Sequence, residues 1–268
     1  MHQDESTRAL VVGLFVVSGQ PTLSAPEMIA LASCRGVSSS NLKSHLTRMV
    51  LDGTLLRSGT PRSYRYTPSR ARSLVIDTIR SRIASRSEPW DGAWVVFVPG
   101  HTMDRGAREQ TQRRLRFYGF RPLSRGAFAR PAWPTAWVRE KVARLAADTG
   151  GASIVGALEG ESAIRDLVRS YRLQAIDRRA RRLLGSIRRA LAAPPLGERA
   201  FALRLELGEP VARLFSDDPH LPAEIWGART ALDELAAAYR KLDSVLERGG
   251  RSFLAAVLRE PARPAHIA

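Results

Sequence analysis

Ser38-Ser39-Ser40-Asn41-Leu42-Lys43-Ser44-His45-Leu46-Thr47-Arg48-Met49-Val50-Leu51 is the stretch that decides how this chain is read. Leu42, Leu46, Met49 and Val50 recur at a spacing that, at about 100° per residue, lines one side of an α-helix. Any of Ser38, Ser39 and Ser40 can be the N-cap, because a serine oxygen accepts an orphan backbone N–H. Asp52-Gly53 ends the helix. Ser40, Asn41, Lys43, Ser44, Thr47 and Arg48 fall on the opposite side; each can bond a base edge or a phosphate, and none is acidic. His45 reads as a helix-surface group rather than a catalyst.

Upstream, Ser24-Ala25-Pro26-Glu27 is a capping-box sequence. It predicts a helix with Met28, Ile29, Leu31 and Ala32 inward, ending near Gly36. Residues 7–17 read as an apolar helix, with a strand left open by their β-branched content, and Gly19-Gln20-Pro21 stops them. Downstream, residues 54–58 and 63–67 flank Gly59-Thr60-Pro61-Arg62 as a hairpin. Alternation puts Leu56, Tyr64 and Tyr66 on one face, Arg57 and Arg65 on the other, and Arg62 at the tip. Three helices and a basic hairpin predict a winged helix-turn-helix over residues 1–68. Its third helix would lie in a major groove, where side chains tell base pairs apart, and its wing would reach phosphate or the minor groove. The candidate DNA-binding residues are Ser39, Ser40, Asn41, Lys43, Ser44, Thr47, Arg48, Arg57, Arg62 and Arg65. A winged helix used only for protein contacts is the alternative.

Residues 69–88 are expected to be a helical connector with Leu74, Val75, Ile76, Ile79 and Ile83 on its apolar side. Residues 95–98, 121–124, 127–130 and 153–158 read as strands, and residues 105–118 and 135–147 as helices. That order, β-α-β-β-α-β, is the ferredoxin-like arrangement, assigned to a middle domain at 89–160. Residues 161–268 are expected to form a mainly helical C-terminal domain, with helices at 162–191, 198–215 and 228–247 and a turn at Asp217-Asp218-Pro219-His220-Leu221-Pro222. The fold class expected is α+β. Arginines crowd residues 105–130 and 178–182; Arg108, Arg114, Arg178 and Arg182 are the candidate residues for a phosphorylated effector, against the plainer reading of solvated helix faces.

The net charge of +16 over 268 residues favours a polyanionic partner, nucleic acid before acidic lipid. The excess is shared, +6 over residues 1–90, +5 over 91–160 and +5 over 161–268, so it indicates a class of partner and no site. Hydrophobic residues make up 44%, enough for a real core and against wholesale disorder. The apolar run at residues 9–17 is about half of the roughly 20 residues a membrane span needs. Asp4 and Glu5 precede it and only Arg8 is basic, so it reads as a buried helix rather than a secretion signal. The single Cys34 can make neither an internal disulfide nor a cysteine-based zinc site, and a reducing cytoplasm is the expected setting.

No enzyme signature is found: no GxGxxG after a strand, no GxxxxGK[ST], no HExxH and no GxSxG. The histidines show no metal-ligand spacing, so neither an enzyme, a metal nor a cofactor is expected. The competing class is an RNA-binding or metal-dependent nuclease-like module on the middle domain. Against it, the strands lack an aromatic stacking pair, and Asp91 and Asp104 stand without clear carboxylate partners.

Four pieces, in order, resemble the PaaX-like family of bacterial repressors of phenylacetate catabolism. They are Leu42-Lys43-Ser44-His45-Leu46-Thr47-Arg48-Met49 with Asp52-Gly53; Pro89-Trp90-Asp91-Gly92-Ala93-Trp94; Tyr118-Gly119-Phe120 with Leu123-Ser124-Arg125-Gly126; and Asp218-Pro219-His220-Leu221-Pro222 with Trp226. The resemblance implies a cytoplasmic, homodimeric transcription repressor on an inverted-repeat DNA operator, released by an aryl- or acyl-CoA thioester. It implies that Lys43, Ser44, Thr47 and Arg48 face DNA. Lys43 stands where the family commonly has Arg, and Phe128 where it has Trp, so the operator is expected to differ, since Lys lacks the planar two-point contact of Arg.

Overall fold

The computed structural model describes residues 2–61, 63–84, 89–100, 104–227 and 230–259. The fold is α+β, with two small antiparallel sheets among many helices. Two compact units are assembled from separated stretches: Met1–Ile83 with Leu183–Arg213 and Ala236–Ala268, and Ala84–Arg182 with Leu214–Leu235. Residues 1–68 lie within the first unit and 89–160 within the second, while the C-terminal helices contribute to both.

The first unit begins with α1 (His2–Ser18), β1 (Leu23–Ser24) and α2 (Ala25–Ala32), then a 3-10 turn at Ser33–Arg35, α3 (Ser39–Leu51), β2 (Leu55–Ser58), β3 (Arg65–Pro68) and α4 (Arg70–Ala84). The capping box of α2 is formed: the Ser24 N–H donates to Glu27 Oε2 at 2.6 Å, and the Glu27 N–H to Ser24 Oγ at 3.3 Å. Gly36 closes the 3-10 turn in the left-handed region, where a residue with Cβ is strained. Val11, Leu14, Met28, Leu31, Leu42 and Met49 are fully buried in one cluster.

The hairpin differs from expectation by one residue. Arg57 lies opposite Tyr66, and Leu56 opposite Thr67. Directly opposed residues share a sheet face, so Leu55 and Arg57 share the face of Tyr66. Leu55 is buried and Leu56 is 57% exposed. Arg57 and Arg65 are therefore on opposite faces. The two-residue β1, which the sequence does not predict, pairs with the other side of β3. Along α4 the buried side chains are Thr78 and Arg82, while Leu74 is exposed. Thr78 sits inside because its hydroxyl donates to the Leu74 carbonyl at 2.8 Å.

The second unit contains β4 (Trp94–Val98), α5 (Arg105–Phe117), β5 (Arg121–Ser124), β6 (Ala127–Pro131), α6 (Thr135–Thr149), β7 (Ala152–Gly156) and α7 (Glu161–Ser170). Its sheet has the order β5-β6-β4-β7 and is antiparallel throughout. Alternation along β4 sends Val95 and Phe97 to a core with α5 and α6, and Trp94 toward α7. The chain continues as α8 (Leu173–Ala192), α9 (Gly197–Asp217), the short α10 (Ala223–Trp226) and α11 (Ala231–Arg259). The single helix expected at 162–191 is broken between α7 and α8, where Arg172 has φ 54. The N-terminal part of α9 joins the first core through Phe201 and Leu205, with Phe253 and Leu254 of α11 packed on it. Among the described residues no helix is long and apolar enough to cross a membrane.

Arg130, in the arginine-rich run for which the sequence leaves both an anion site and a solvated face open, is 0% exposed. Its guanidinium donates to the carbonyls of Pro131 at 2.9 Å, Trp133 at 2.6 Å and His220 at 3.0 Å, and to that of Tyr118. It also lies 5.2 Å from the Trp137 ring centroid. A buried cation without such acceptors would be costly; here it ties β6 to the bend at residues 218–222. Asp218 shapes that bend by accepting the His220 N–H at 2.9 Å. Gly119 passes beneath it with φ 84, and a Cβ there would overlap the Pro219 carbonyl. Gly119→Ala is therefore expected to destabilise the second unit by about 1–3 kcal/mol from the backbone conformation alone, with the overlap adding to it. Urea unfolding followed by Trp fluorescence checks this; a change within about 0.5 kcal/mol, the range of ordinary surface substitutions, would contradict the packing described.

Candidate nucleic-acid interface

The helix α3 is held by its own apolar stripe. Leu42, Leu46 and Met49 are buried, and so is His45, at 3% exposure. His45 was expected at the surface. It lies three residues after Leu42 and four before Met49, spacings that place it within the stripe. Ser38 is the N-cap, its hydroxyl accepting the Asn41 N–H at 3.3 Å. Asp52 anchors the other end: its carboxylate takes Arg8 Nη2 at 2.6 Å and the Thr54 N–H at 3.0 Å, and Arg8 also reaches the Thr54 hydroxyl at 3.2 Å. These contacts tie the end of α3 to α1 and to the start of the hairpin.

With the stripe buried, the opposite side is outward. Ser39, Ser40, Lys43, Ser44, Thr47 and Arg48 are exposed and Asn41 is half-buried. From Ser39 round to Asn41 they cover an arc of about 200° at 100° per residue. The Thr47 hydroxyl donates to the Lys43 carbonyl at 3.1 Å, and the residue remains exposed. No acidic residue occurs from Met28 to Leu51, so the arc presents cations and neutral polar groups only.

The hairpin residues divide. Arg57 is exposed, its guanidinium 4.3 Å above the Tyr64 ring centroid. Arg65 is engaged within the unit: Nε donates to the Thr22 hydroxyl and Nη2 to the Thr22 carbonyl, both at 3.1 Å, with Glu27 Oε2 at 3.8 Å. Its charge is partly compensated there, an arrangement invisible locally because Thr22 and Glu27 lie some forty residues upstream. Arg62 falls outside the described residues.

The four effector candidates are not brought into one recess. Arg108 is exposed on α5, and Arg114 is paired with Asp148 at 2.6 Å. On α8, Arg179 pairs with Asp217 at 2.7 Å and Arg181 with Asp177 at 2.8 Å, while Arg178 and Arg182 are exposed. Asp177 also accepts the Ala231 N–H at 3.0 Å; burial raises its pKa, but the Arg181 and Ala231 hydrogen bonds outweigh this and hold it below the usual carboxylate value. A different recess was missed by the sequence reading. In the first unit a cleft of about 380 Å³ sets apolar walls of Val16, Val17, Phe201 and Leu254 beside Arg80 and Arg251. Arg204 also lines it, but is already bonded to Asp243 at 2.6 and 2.9 Å and to the Val17 carbonyl at 2.9 Å. Distant stretches form this cleft, so no local pattern could reveal it.

Cys34 is half-buried, and burial, then the nearby Glu198, push its thiol up to about 11. It is therefore a poor nucleophile at neutral pH. Among the described residues no group of three or more His, Cys, Asp or Glu side chains is placed to hold a metal ion.

No protein-family model matches the chain, and no curated protein does. Among solved structures the chain is similar to the uncharacterized protein Rv0674 from Mycobacterium tuberculosis, at 22% identity, over 94% of this chain and 98% of that one, with a TM-score of 0.56. At that identity the likeness speaks for the fold alone.

The Thr54 side chain and Arg8 hold the Asp52 carboxyl below its ordinary pKa. A carboxyl depressed in the folded state contributes stability above its unfolded pKa and loses it as pH falls through the lower folded value. Asp52→Asn is expected to cost up to about 1 kcal/mol at pH 7, since both partners are partly exposed and screened. In urea melts the deficit should shrink as the pH falls below the ordinary Asp range. An equal deficit at both pH values would show that the charge is not what anchors α3.

Proposed function

We propose that this chain is a sequence-specific DNA-binding transcription regulator, a repressor of the PaaX-like type that acts as a homodimer on an inverted repeat. In this reading residues 1–68 form a winged helix-turn-helix with α3 as recognition helix and the β2–β3 hairpin as wing. The middle of the chain is read as ferredoxin-like; its β-α-β-β-α-β order and its sheet order support that. The observation that carries the proposal is the outward arc of α3. Ser40, Lys43, Ser44, Thr47 and Arg48 stand exposed on a helix whose other side is locked in a core. A helix seated in a major groove needs such a face: donors and cations outward, no carboxylate to repel phosphate, and a rigid backbone. Arg57, exposed on the hairpin, suits a phosphate contact beside it, whereas Arg65 acts first as a brace within the unit.

The same reading includes release by an aryl- or acyl-CoA thioester. An effector acts only by binding the released arrangement more tightly. Its acyl arm and phosphates need apolar walls beside cations; the cleft sets Phe201 and Leu254 beside Arg80 and Arg251, with the Glu247 carboxylate of the same lining engaged by Arg204 at 3.6 Å. The exposed Arg178 and Arg182 are the other candidates.

Gel shifts on duplex DNA from upstream of the chain's own gene test the proposal. Binding should weaken steeply with salt, because neutralised phosphates release counterions. Arg48→Ala should weaken binding to every sequence and reduce the log–log salt slope by about 1 if Arg48 holds a phosphate. Asn41→Ala or Lys43→Ala should cost about 1–3 kcal/mol on the operator and little on scrambled DNA. Equal losses on both would refute base reading by those two residues. No shift at low salt, or metal-dependent degradation of RNA instead, would overturn the assignment.

A further inference from the structure

The sheet of the second unit packs against α5 and α6, and the packing is incomplete toward β7. Elsewhere in this core Phe97, Phe120, Phe128 and Leu145 fill the space between sheet and helices. Toward β7 the side chains are short. Val95 lies opposite Val155 and Phe97 opposite Ser153, so Ser153 and Val155 share the helix-covered side of the sheet. Ala132 and Ala143 border the same region. What is left is a cavity of about 180 Å³ with apolar walls of Val95, Val138, Val142 and Val155. An apolar cavity of about 150 Å³ is enough to hold benzene, so this one has room for a small branched aliphatic group.

Two charged side chains stand at its mouth. Asp91 and Arg139 both line the recess and both are exposed. Asp91 Oδ1 accepts the Ala93 N–H at 2.9 Å, which leaves Oδ2 for a second donor. Acids elsewhere hold an arginine: Asp52 holds Arg8, Asp148 holds Arg114, Asp217 holds Arg179 and Asp243 holds Arg204. Asp91 and Arg139 line one recess yet pair neither with each other nor with another described residue. In a chain of net charge +16, cations are in excess over carboxylates. An acid and an arginine held apart beside one apolar recess therefore mark a gap that a bridging group would fill with charge-assisted hydrogen bonds.

We propose that this recess binds a free α-amino acid with a short branched side chain. The ligand's side chain lies among the valines, its carboxylate takes the Arg139 guanidinium, and its ammonium donates to Asp91 Oδ2. Charge separates the ligand classes. A simple carboxylic acid satisfies Arg139 but sets a second carboxylate near Asp91. An alkylamine satisfies Asp91 but sets a second cation near Arg139. A nucleotide or a coenzyme A ester carries several phosphates, whereas the recess offers one cation beside a carboxylate. Its volume is also below the roughly 300 Å³ at which sites for larger organic ligands begin. An α-amino acid carries both charges on one carbon, next to its apolar group, and brings no net charge with it. The site is distinct from the cleft near Phe201, lies wholly in the second unit, and stands whether or not α3 reads DNA.

Isothermal titration calorimetry of the full chain tests it, with leucine, valine, glycine, isocaproate and isoamylamine as the ligands offered. Leucine or valine should bind with a Kd of about 1 mM or tighter, the range open to a ligand of so few atoms. Glycine lacks the apolar group, and isocaproate and isoamylamine each lack one of leucine's charges; all three should bind weaker than leucine by about tenfold or more. Asp91→Asn keeps an acceptor for the Ala93 N–H and removes the charge; it should weaken leucine by about tenfold and leave isocaproate no weaker. Arg139→Gln should weaken leucine to a similar degree and leave isoamylamine no weaker. Ala143→Leu, which fills the recess, should abolish binding with an unchanged circular dichroism spectrum. No saturable heat from leucine or valine, glycine binding as tightly as leucine, or unchanged leucine affinity in either charge variant would overturn the proposal. If Ala143→Leu does not fold, the two charge variants decide alone.

Discussion

The burial of Leu42, His45, Leu46 and Met49 is the constraint on which the rest of the first unit depends. A buried Leu or Met contributes about 1.5–3 kcal/mol, several times what an exposed ion pair adds. The stripe therefore sets the rotation of α3, and the capping and ion-pair contacts at Ser38 and Asp52 fix only its ends. Once that rotation is set, Lys43, Ser44, Thr47 and Arg48 have nowhere to go but outward. Any recognition by this face is thus a by-product of core packing, and substitutions that loosen the stripe should be felt at the outer face without touching it.

Arginine does quite different work along this chain, which is why composition alone could not locate a site. Arg130 is enclosed and braces a sheet strand against a bend through carbonyl acceptors. Arg65 and Arg114 are engaged by partners distant in sequence but within their own units, and Arg121 lies 4.9 Å from the Tyr171 ring centroid. Arg57, Arg178 and Arg182 are left at the surface. Only this last kind is available to an anion, and the net charge overstates how many there are.

Much of the local structure was legible in the sequence. Ser24 and Glu27 announce the start of α2, and the serines before Leu42 announce α3, because caps and helical stripes are local patterns. The outward residues of α3 follow from the same periodicity, which makes that part of the candidate site readable. The misses share another cause. His45 was judged by polarity rather than position. The hairpin faces slipped by one because Leu55 and Leu56 are both apolar, so alternation alone does not say which points inward, and a one-residue slip moves every side chain to the other face. The break at Arg172 has no glycine or proline to mark it. The return of α9 and α11 to the N-terminal core, and with it the cleft near Phe201, depends on contacts across nearly two hundred residues.

Photo-cross-linking addresses the proposed role of α3 most directly. A photoreactive side chain would be placed at Ser44, at Thr47 and, for comparison, at the exposed Arg182 of α8, each in the full chain bound to operator duplex. The account predicts DNA adducts from Ser44 and Thr47, mapping to bases in the major groove, and none at defined bases from Arg182. Adducts absent from α3 while the complex remains intact would contradict it.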